Sequence, residues 1–367
     1  MKRSRIISVV LPAFICVSLI AACAAPPQPA TPPPAPATTP AAPGEPQPDP
    51  GDELEYTGPL VILNVALGAA STGHSGIALL NFADRVNARG GGHIEVRAFP
   101  DSQLGSEREA SEGVALGTIE MSTIGMGTFA TFYERLQFVN TPFLLADRPQ
   151  SHRFYDGEFM QALNEDVRQA IGVRILAYGE NGTRGISNNT REIRTPADLA
   201  GLRIRMQENP LHIAMINEMG GSATPIAFAE LFTALQQGTV DGQDNGIPLT
   251  VNNRLFEVQP YFTTLAHTID QLAFIANDAW FSSLDPIVQQ ILTEEVENWR
   301  DDMRRLVEEF DDSGIETMEA SGVTVTHLTD AERQAFRDMM EPVFDIARGI
   351  VGEDFFNQAL AATDAAR

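Results

Sequence analysis

Three arginines are the residues of this sequence best suited to hold an anion: Arg184, Arg203 and Arg205. The last two alternate with apolar residues in Leu-Arg-Ile-Arg-Met (202–206), as in a strand. If both faces of that strand are buried, an arginine at its carboxyl end reaches the cleft where open α/β sheets bind ligands. There its guanidinium offers two parallel donors to a carboxylate. The alternative is that all three are surface charges of an acidic protein, and spacing alone favours this alternative.

Other patterns with chemical meaning are incomplete. Gly-Met-Gly-Thr-Phe-Ala (125–130) matches a relaxed dinucleotide-binding motif with Asp147 downstream, but it does not open a long helix after a first strand. The six histidines are scattered, Asp241 and Asp244 fit a glycine-rich turn, and the only lysine is Lys2. We therefore predict a protein that is not an enzyme and has no catalytic residues, metal site or cofactor.

The composition is that of an acidic globular protein with a large core. The 367 residues include 49 Asp and Glu against 25 Lys and Arg, a net charge of −24, and 43% are hydrophobic. This charge argues against binding to nucleic acid or anionic lipid, because both are polyanions. Cys16 and Cys23 are the two cysteines, so the rest of the sequence has no disulfide and no cysteine ligand.

The N-terminus has the features of an export signal. An apolar run at 6–20 follows basic residues and is too short to span a membrane. Small residues lead to Cys23, which resembles a bacterial lipoprotein signal. We predict a lipoprotein signal peptide over 1–22 and lipidation of Cys23, with an ordinary signal peptide as the alternative. A proline-rich linker over 23–57, either a polyproline-like spacer or a disordered tail, would tether the protein to the membrane.

Strand and helix patterns alternate from residue 60 onwards. Apolar runs predict strands near 60–67, 94–99, 119–124 and 173–178, with amphipathic helices between them. A second module starts near Asn181. Strands near 262–266 and 272–276 are predicted to run back into the first module, and a helix over 288–310 is long enough to brace both. The alternation favours open, mostly parallel α/β sheets.

Five motifs stand in order between residues 180 and 245. They are Glu-Asn-Gly-Thr-Arg (180–184), Thr-Pro-Ala-Asp-Leu-Ala-Gly-Leu-Arg-Ile-Arg-Met (195–206), Gly-Gly-Ser-Ala-Thr-Pro (220–225), Ala-Phe-Ala-Glu-Leu (227–231) and Asp-Gly-Gln-Asp-Asn (241–245). Their order and spacing resemble the DctP-type substrate-binding subunits of tripartite ATP-independent periplasmic (TRAP) transporters. The resemblance runs from Leu60 to about Phe356 and includes Pro-Asp-Ser-Gln-Leu-Gly (100–105) and Asn-Thr-Pro-Phe (140–143).

This resemblance implies a two-lobed periplasmic binding protein of the α/β class. Each lobe would be an open, mostly parallel sheet with flanking helices, and crossing strands and a long bracing helix would join them. Lobe I would comprise 58–181 plus 273–367, and lobe II would comprise 182–272. The lobes would close around an organic acid.

The resemblance also implies roles for individual residues. It places a carboxylate-binding arginine at Arg205, a supporting arginine at Arg184, an amide for the same carboxylate at Asn245 and an aromatic pocket wall at Phe228. Glu107 matches an acidic position of the family. These residues are expected to converge on one site.

Two glycines bear on the size of the ligand. Gly68 and Gly125 occupy positions that look polar in sialic-acid-binding relatives, so a smaller or less polar carboxylate is favoured over a polyhydroxylated sugar acid. The implied partners are this solute, integral membrane TRAP subunits and, through Cys23, a membrane facing the periplasm. The alternatives are a binding protein of an ATP-driven (ABC) importer, a ligand-sensing subunit and a lipid-anchored hydrolase.

Overall fold

The computed structural model describes residues 56–367, and the predicted signal peptide, Cys23 and most of the predicted linker lie outside this part. The described part contains ten strands: β1 (Val61–Leu67), β2 (Ile94–Phe99), β3 (Met121–Gly125), β4 (Val173–Asn188), β5 (Arg203–Met206), β6 (Ser222–Pro225), β7 (Gly242–Gly246), β8 (Tyr261–Thr264), β9 (Ile269–Asn277) and β10 (Thr324–His327). Its α-helices are α1 (His74–Arg89), α2 (Glu107–Leu116), α3 (Met126–Phe129), α4 (Arg148–Asp156), α5 (Glu158–Ile171), α6 (Pro210–Glu218), α7 (Leu231–Gln236), α8 (Ile247–Asn252), α9 (Asp278–Ser283), α10 (Pro286–Ala320), α11 (Asp330–Arg337), α12 (Glu341–Val351) and α13 (Glu353–Ala365).

The ten strands form one mixed sheet. Eight of them follow the order β2-β1-β3-β9-β4-β7-β5-β6, while β8 pairs with β4 and β10 pairs with β8. Pairing is parallel at both ends of the sheet, but β9 is antiparallel to β3 and β4, and β4 is antiparallel to β7 and β8. In each half of the sheet most strands run parallel, as predicted, and the whole sheet is mixed because β9 opposes its neighbours in one half and β4 opposes its neighbours in the other. The reason is that β4 carries the chain into the second half and β9 brings it back.

Strand β4 divides the molecule into two lobes. Residues 173–183 of β4 pair with β9, beside β1, β2 and β3, and we call this half the first lobe. Residues 184–188 pair with β7, beside β5 and β6, and we call this half the second lobe. The crossing strands are thus β4 and β9, whereas β8, predicted to cross, stays paired with the second-lobe end of β4.

The long helix α10 contacts both lobes. It has 35 residues, more than the predicted 288–310, and it begins behind an Asp285 side chain that accepts a hydrogen bond from the Ile287 amide. Its Trp299 packs edge-on against Phe274 of β9, with ring centres 4.9 Å apart. Its last turn adds Met318 to a buried cluster with Phe262 of β8. The predicted bracing role matches this packing.

The helix that approaches the cleft from the first lobe is fixed by a capping box. The Ser106 side chain accepts a hydrogen bond from the Glu109 amide, and the Glu109 side chain accepts one from the Ser106 amide. This capping box sets the start of α2 at Glu107, one of the predicted site residues. Within residues 56–367, no helix is both long and apolar enough to cross a membrane.

Candidate functional site

Arg205 ends up buried between the two lobes. Its strand, β5, pairs with β6 and β7; Arg205, near the carboxyl end, is only 1% exposed, whereas Arg203, at the start of the strand, is exposed and pairs with Asp241. The Nε atom of Arg205 donates to the Ile226 carbonyl at 2.7 Å. Its guanidinium carbon lies 5.9 Å from the centre of the Phe228 ring. The interpretation of Arg205 as a surface charge is therefore wrong.

The charge of Arg205 has no partner of opposite sign in contact with it. Among residues 56–367, no carboxylate oxygen comes within 4.0 Å of its guanidinium, and its two terminal nitrogens donate no hydrogen bond. Burial, followed by repulsion from Arg184, lowers the pKa of Arg205 to about 10, so the group stays charged at neutral pH. An unpaired buried charge is costly, and a bound anion would remove that cost.

Arg184, in contrast to Arg205, is in direct contact with carboxylates. It follows the point where β4 changes its partner from β9 to β7, and it is 1% exposed. Its Nε binds Asp244 Oδ1, its Nη2 binds the Asp244 carbonyl and its Nη1 binds Asp270 Oδ2 at 2.9 Å. Burial alone would lower the pKa of Arg184, yet the charges of Asp244 and Asp270 raise it.

The aspartates around Arg184 are held in turn by other buried groups. Asp244 Oδ2 lies 3.0 Å from Nε2 of His267. Burial favours the neutral form of Asp244, but Arg184, followed by His267, outweighs burial and keeps its pKa below the ordinary value. Asp270 Oδ2 also accepts a hydrogen bond from Asn181 Nδ2 at 3.0 Å. Arg184 is thus part of a neutralised polar network.

Asn181 links this network to a buried histidine. Its Oδ1 lies 2.8 Å from His74 Nε2, and His74 is fully buried at the start of α1. Burial lowers the pKa of His74 to about 4, only partly opposed by Asn181 and Glu180. His74 is therefore neutral at pH 7.

Two adjoining cavities lie where the lobes meet. The first, which we call the inner cavity, is lined by Leu67, Ala69, Glu107, Gly125, Asn181, Gln207, Phe228, Asn245, Leu249, Asp270 and Leu272. The second, the side cavity, is lined by Ser106, Glu107, Arg108, Thr128, Arg205, Gln207, Glu208, Ile226, Ala227 and Phe228. The shared walls, Glu107, Gln207 and Phe228, connect the surroundings of Arg205 to the inner cavity.

Glu107 places a carboxyl group at the junction of the cavities. Its Oε1 accepts a hydrogen bond from the Gly125 amide at 3.2 Å, and its Oε2 accepts one from the Thr128 hydroxyl at 3.0 Å. Burial raises the pKa of Glu107, and these two donors and Arg205 oppose the rise. The Gly125–Ala130 segment, which resembled a dinucleotide motif, thus supplies two hydrogen bonds to Glu107.

The predicted site residues separate into three groups. Glu107, Gly125, Phe228 and Asn245 line the inner cavity, and Arg205 lines the side cavity. Gly68 instead lines an outer groove, which shares Phe228 with both cavities and is formed by Gly68, Ala70, Asp101, Ser102, Phe228, Ala229, Phe232, Asn253 and Leu255. Arg184 lines neither cavity nor the outer groove. It is hydrogen-bonded to Asp270, which is hydrogen-bonded to Asn181, and both of these residues line the inner cavity.

Sequence reasoning missed three polar residues of the inner cavity, namely Asn181, Gln207 and Asp270. Asp270 is a lone acid in β9, whose nine residues are all buried, and an acid inside such a strand is the signal that could have revealed it. Gln207 follows Arg205 at the end of β5 and is 7% exposed. A Cβ on Gly125 would lie 3.0 Å from Gln207 Nε2, so the amide occupies the space that glycine leaves.

A family model and individual relatives both relate this chain to bacterial solute-binding proteins. "Bacterial extracellular solute-binding protein, family 7" (DctP) matches residues 66–348. A solute-binding protein of Verminephrobacter eiseniae is 35% identical over 271 residues, which are 74% of this chain and 81% of the relative. The 2,3-diketo-L-gulonate-binding periplasmic protein YiaO of Escherichia coli K12 is 34% identical over 267 residues, 72% of this chain and 80% of the relative.

Solved structures share the fold. The sugar acid binding protein DctPAm of Advenella mimigardefordensis, in complex with galactonate, has a TM-score of 0.81 and 26% identity, covering 84% of this chain and 99% of the other. A TRAP periplasmic solute-binding protein of Polaromonas sp. JS666 bound to D-erythronate has a TM-score of 0.78 and 30% identity, covering 82% and 98%. One of Shewanella oneidensis with bound succinate has a TM-score of 0.78 and 27% identity, covering 83% and 99%. The chain therefore has the two-lobed fold of the TRAP periplasmic solute-binding proteins and belongs to the DctP family of bacterial extracellular solute-binding proteins.

Proposed function

We propose that this protein captures an organic acid by its carboxylate at Arg205, between the two lobes, and delivers it to the integral membrane subunits of a TRAP transporter. The observation that carries the proposal is the charged, buried guanidinium of Arg205, which contacts no carboxylate in the described part of the chain. A ligand carboxylate would neutralise it through two short, directional hydrogen bonds. The named ligands of the related structures, galactonate, D-erythronate and succinate, are all carboxylates.

The other predicted site residues take supporting places in this proposal. Phe228 and Asn245 would contact the ligand from the second lobe, and Glu107 and Gly125 from the first. Arg184 would act at one remove, by fixing Asp244 and Asp270, and Gly68 would border the entrance. The lobe boundaries 58–181 plus 273–367 and 182–272 belong to the same proposal, although β10 pairs with β8 of the second lobe.

The protein would work in the periplasm, lipid-anchored through Cys23 and without converting its ligand. Family membership supports the location and the lack of catalysis, and it disfavours the importer, sensor and hydrolase alternatives. Protein made in cells supplied with labelled fatty acid should carry the label, and a Cys23→Ser change should abolish the labelling. Equal labelling of the variant, or no labelling of the wild type, would contradict the anchor. Mass spectrometry of released ligand should find it chemically intact.

Titration calorimetry tests the central role of Arg205. The full chain is titrated with galactonate, D-erythronate and succinate, as wild type and as Arg205→Met. We expect at least one acid to bind the wild type, and its dissociation constant to rise by about 30-fold or more in the variant, since truncating one partner of a buried charge pair costs about 2–5 kcal/mol.

Arg203→Met is the matched control, because Arg203 lies on the same strand with its side chain 47% exposed and paired with Asp241. It should bind with wild-type affinity. Wild-type affinity in Arg205→Met, or binding of none of the three acids to the wild type, would contradict the proposal.

A further inference from the structure

The lining of the inner cavity includes an acidic group that the capture of a carboxylate does not explain. Asp270 is 4% exposed and lines this cavity. Its Oδ2 accepts hydrogen bonds from Arg184 and Asn181, whereas its Oδ1 accepts none from residues 56–367. A charged oxygen is therefore left to face the space that would hold the body of the ligand.

The side-chain oxygen of Asn245 is a second acceptor in the same cavity as Asp270. Asn245 is 2% exposed and lines the same cavity, and its Nδ2 donates to Gln243 Oε1 at 2.6 Å. The amide nitrogen of Gln243 donates in turn to Ser187 and Thr250, which fixes this orientation. Asn245 Oδ1 accepts no hydrogen bond within the described residues, so it too is left for a donor on the ligand.

Glu107 adds a second acid on the path from Arg205 to Asp270. It lines both cavities, and it is near enough to Asp270 for the two charges to repel each other. A ligand whose carboxylate lies on Arg205 and whose chain enters the inner cavity would lie between walls that include Glu107 and Asp270. Among the described side chains of the inner cavity, Asp270 Oδ1 and Asn245 Oδ1 accept no hydrogen bond, and Gln207 Nε2 donates none.

From this arrangement, and resting on the proposed function, we infer that the ligand is a hydroxylated acid with a single carboxylate, and that Asp270 is the main residue that selects it. Ligand hydroxyls donate to Asp270 Oδ1 and Asn245 Oδ1. An unsubstituted acid leaves these buried oxygens without donors, which is costly. A dicarboxylate brings a second negative charge to Asp270, which repels it.

This inference replaces the sequence-based expectation of a less polar ligand. That expectation rested on Gly68 and Gly125, where a polar side chain is missing. The structure shows Gln207 Nε2 in the space beside Gly125, 3.0 Å from where its Cβ would lie, and the Glu107 side chain packs against Gly68. The polar surface lost at the glycines is thus supplied by neighbouring side chains.

Length-matched ligands test the inference by calorimetry on the full chain. The four-carbon set is butanoate, D-erythronate, succinate and 4-aminobutanoate, and the six-carbon set is hexanoate, galactonate, adipate and 6-aminohexanoate. We expect the hydroxylated acid to bind at least roughly tenfold more tightly than every other member of its set, in at least one set.

The possible outcomes distinguish failure of this inference from failure of the proposed carboxylate capture at Arg205. Tightest binding of a dicarboxylate or an unsubstituted acid would overturn the inference but leave carboxylate capture at Arg205 standing. Tightest binding of an amino acid would overturn it too, because an ammonium group would then be the partner of Asp270. Binding of no acid at all would overturn the proposed function together with the inference.

Two isosteric variants test whether Asp270 and Glu107 cause the preference for the hydroxylated acid. Asp270→Asn should reduce the preference for the hydroxylated acid over the dicarboxylate by roughly tenfold. Glu107→Gln is the second test, because it leaves the Arg184–Asp270 pair intact, and it should reduce the same ratio by a smaller factor. Asp101→Asn, in the outer groove, is the control and should leave the ratio unchanged. An unchanged ratio in both cavity variants would overturn the assignment.

Discussion

Two buried arginines of this protein have the same exposure and opposite surroundings. Arg184 and Arg205 are each 1% exposed. Arg184 is paired with Asp244 and Asp270, whereas Arg205 donates, within residues 56–367, only to a backbone carbonyl. Burial of a cation therefore does not by itself reveal its function. A buried arginine whose charge is neutralised within the chain contributes to the fold, and one without a carboxylate in contact is suited to bind an anion.

The largest expected effect is on the stability of the region around Arg184. Arg184→Met leaves two aspartates buried without their cation, so the free energy of unfolding should fall by about 3–5 kcal/mol. Urea denaturation of the ligand-free protein measures this fall. Arg254→Met is the control, because Arg254 is 72% exposed in its pair with Glu257 and should cost no more than about 0.5 kcal/mol. A comparable small loss for Arg184→Met would remove the contrast between the two arginines.

The second expected effect is that the free energy of unfolding depends on pH through His74, which belongs to the same network. Since burial lowers the pKa of folded His74 to about 4, below the 6.5 of the unfolded chain, folding disfavours its protonation. The contribution of His74 to the free energy of unfolding is therefore fully present above pH 6.5. As the pH falls towards 4, this contribution decreases by about 3 kcal/mol.

His74→Gln keeps a donor for Asn181 and cannot be protonated. Between pH 6.5 and 4 the variant should lose less stability than the wild type, and the difference between their unfolding curves isolates His74 from other groups. Identical losses would show that His74 is not held neutral by the fold.

A third, smaller effect has the opposite sign from the first. Arg205→Met removes a buried charge that has no partner in the ligand-free state, so the free energy of unfolding should rise by about 1 kcal/mol or stay unchanged. The same urea experiment as for Arg184→Met measures it. A fall of more than about 2 kcal/mol would mean that Arg205 stabilises the empty protein and is not reserved for a ligand.

The smallest effect concerns the aromatic wall beside Arg205. Phe228→Leu removes the ring that lies 5.9 Å from the guanidinium, and we expect affinity for the acid to fall about two- to fivefold. Phe232→Leu is the control, because Phe232 lines only the outer groove and should leave the calorimetric affinity unchanged. Equal losses in both variants would argue against a specific contact at Phe228.

The sequence predicted most of the secondary structure, because the apolar periodicity of the first lobe is regular. It did not predict that β4 continues through Asn188. Glycines and polar residues such as Glu180 and Asn181 interrupt the apolar pattern there, and they are buried because neighbouring elements supply their hydrogen-bond partners. Such partners are distant in the chain and leave no local signal.

The same limit applies to the candidate site. In the local pattern Arg205 differs from Arg203 only in lying nearer the carboxyl end of β5, and the side cavity at that end distinguishes the buried arginine from the exposed one. The resemblance to the DctP family pointed to Arg205. It gave no indication of Asp270, whose position depends on the return of β9 beside β4.

A crystal structure of the complex with the tightest-binding acid would show directly whether Arg205 holds the ligand carboxylate. We expect this carboxylate about 3 Å from both terminal nitrogens of Arg205, with Arg184 still bound to Asp244 and Asp270. A carboxylate bound to Arg184 or outside the two cavities, with Arg205 left unpaired, would contradict this expectation.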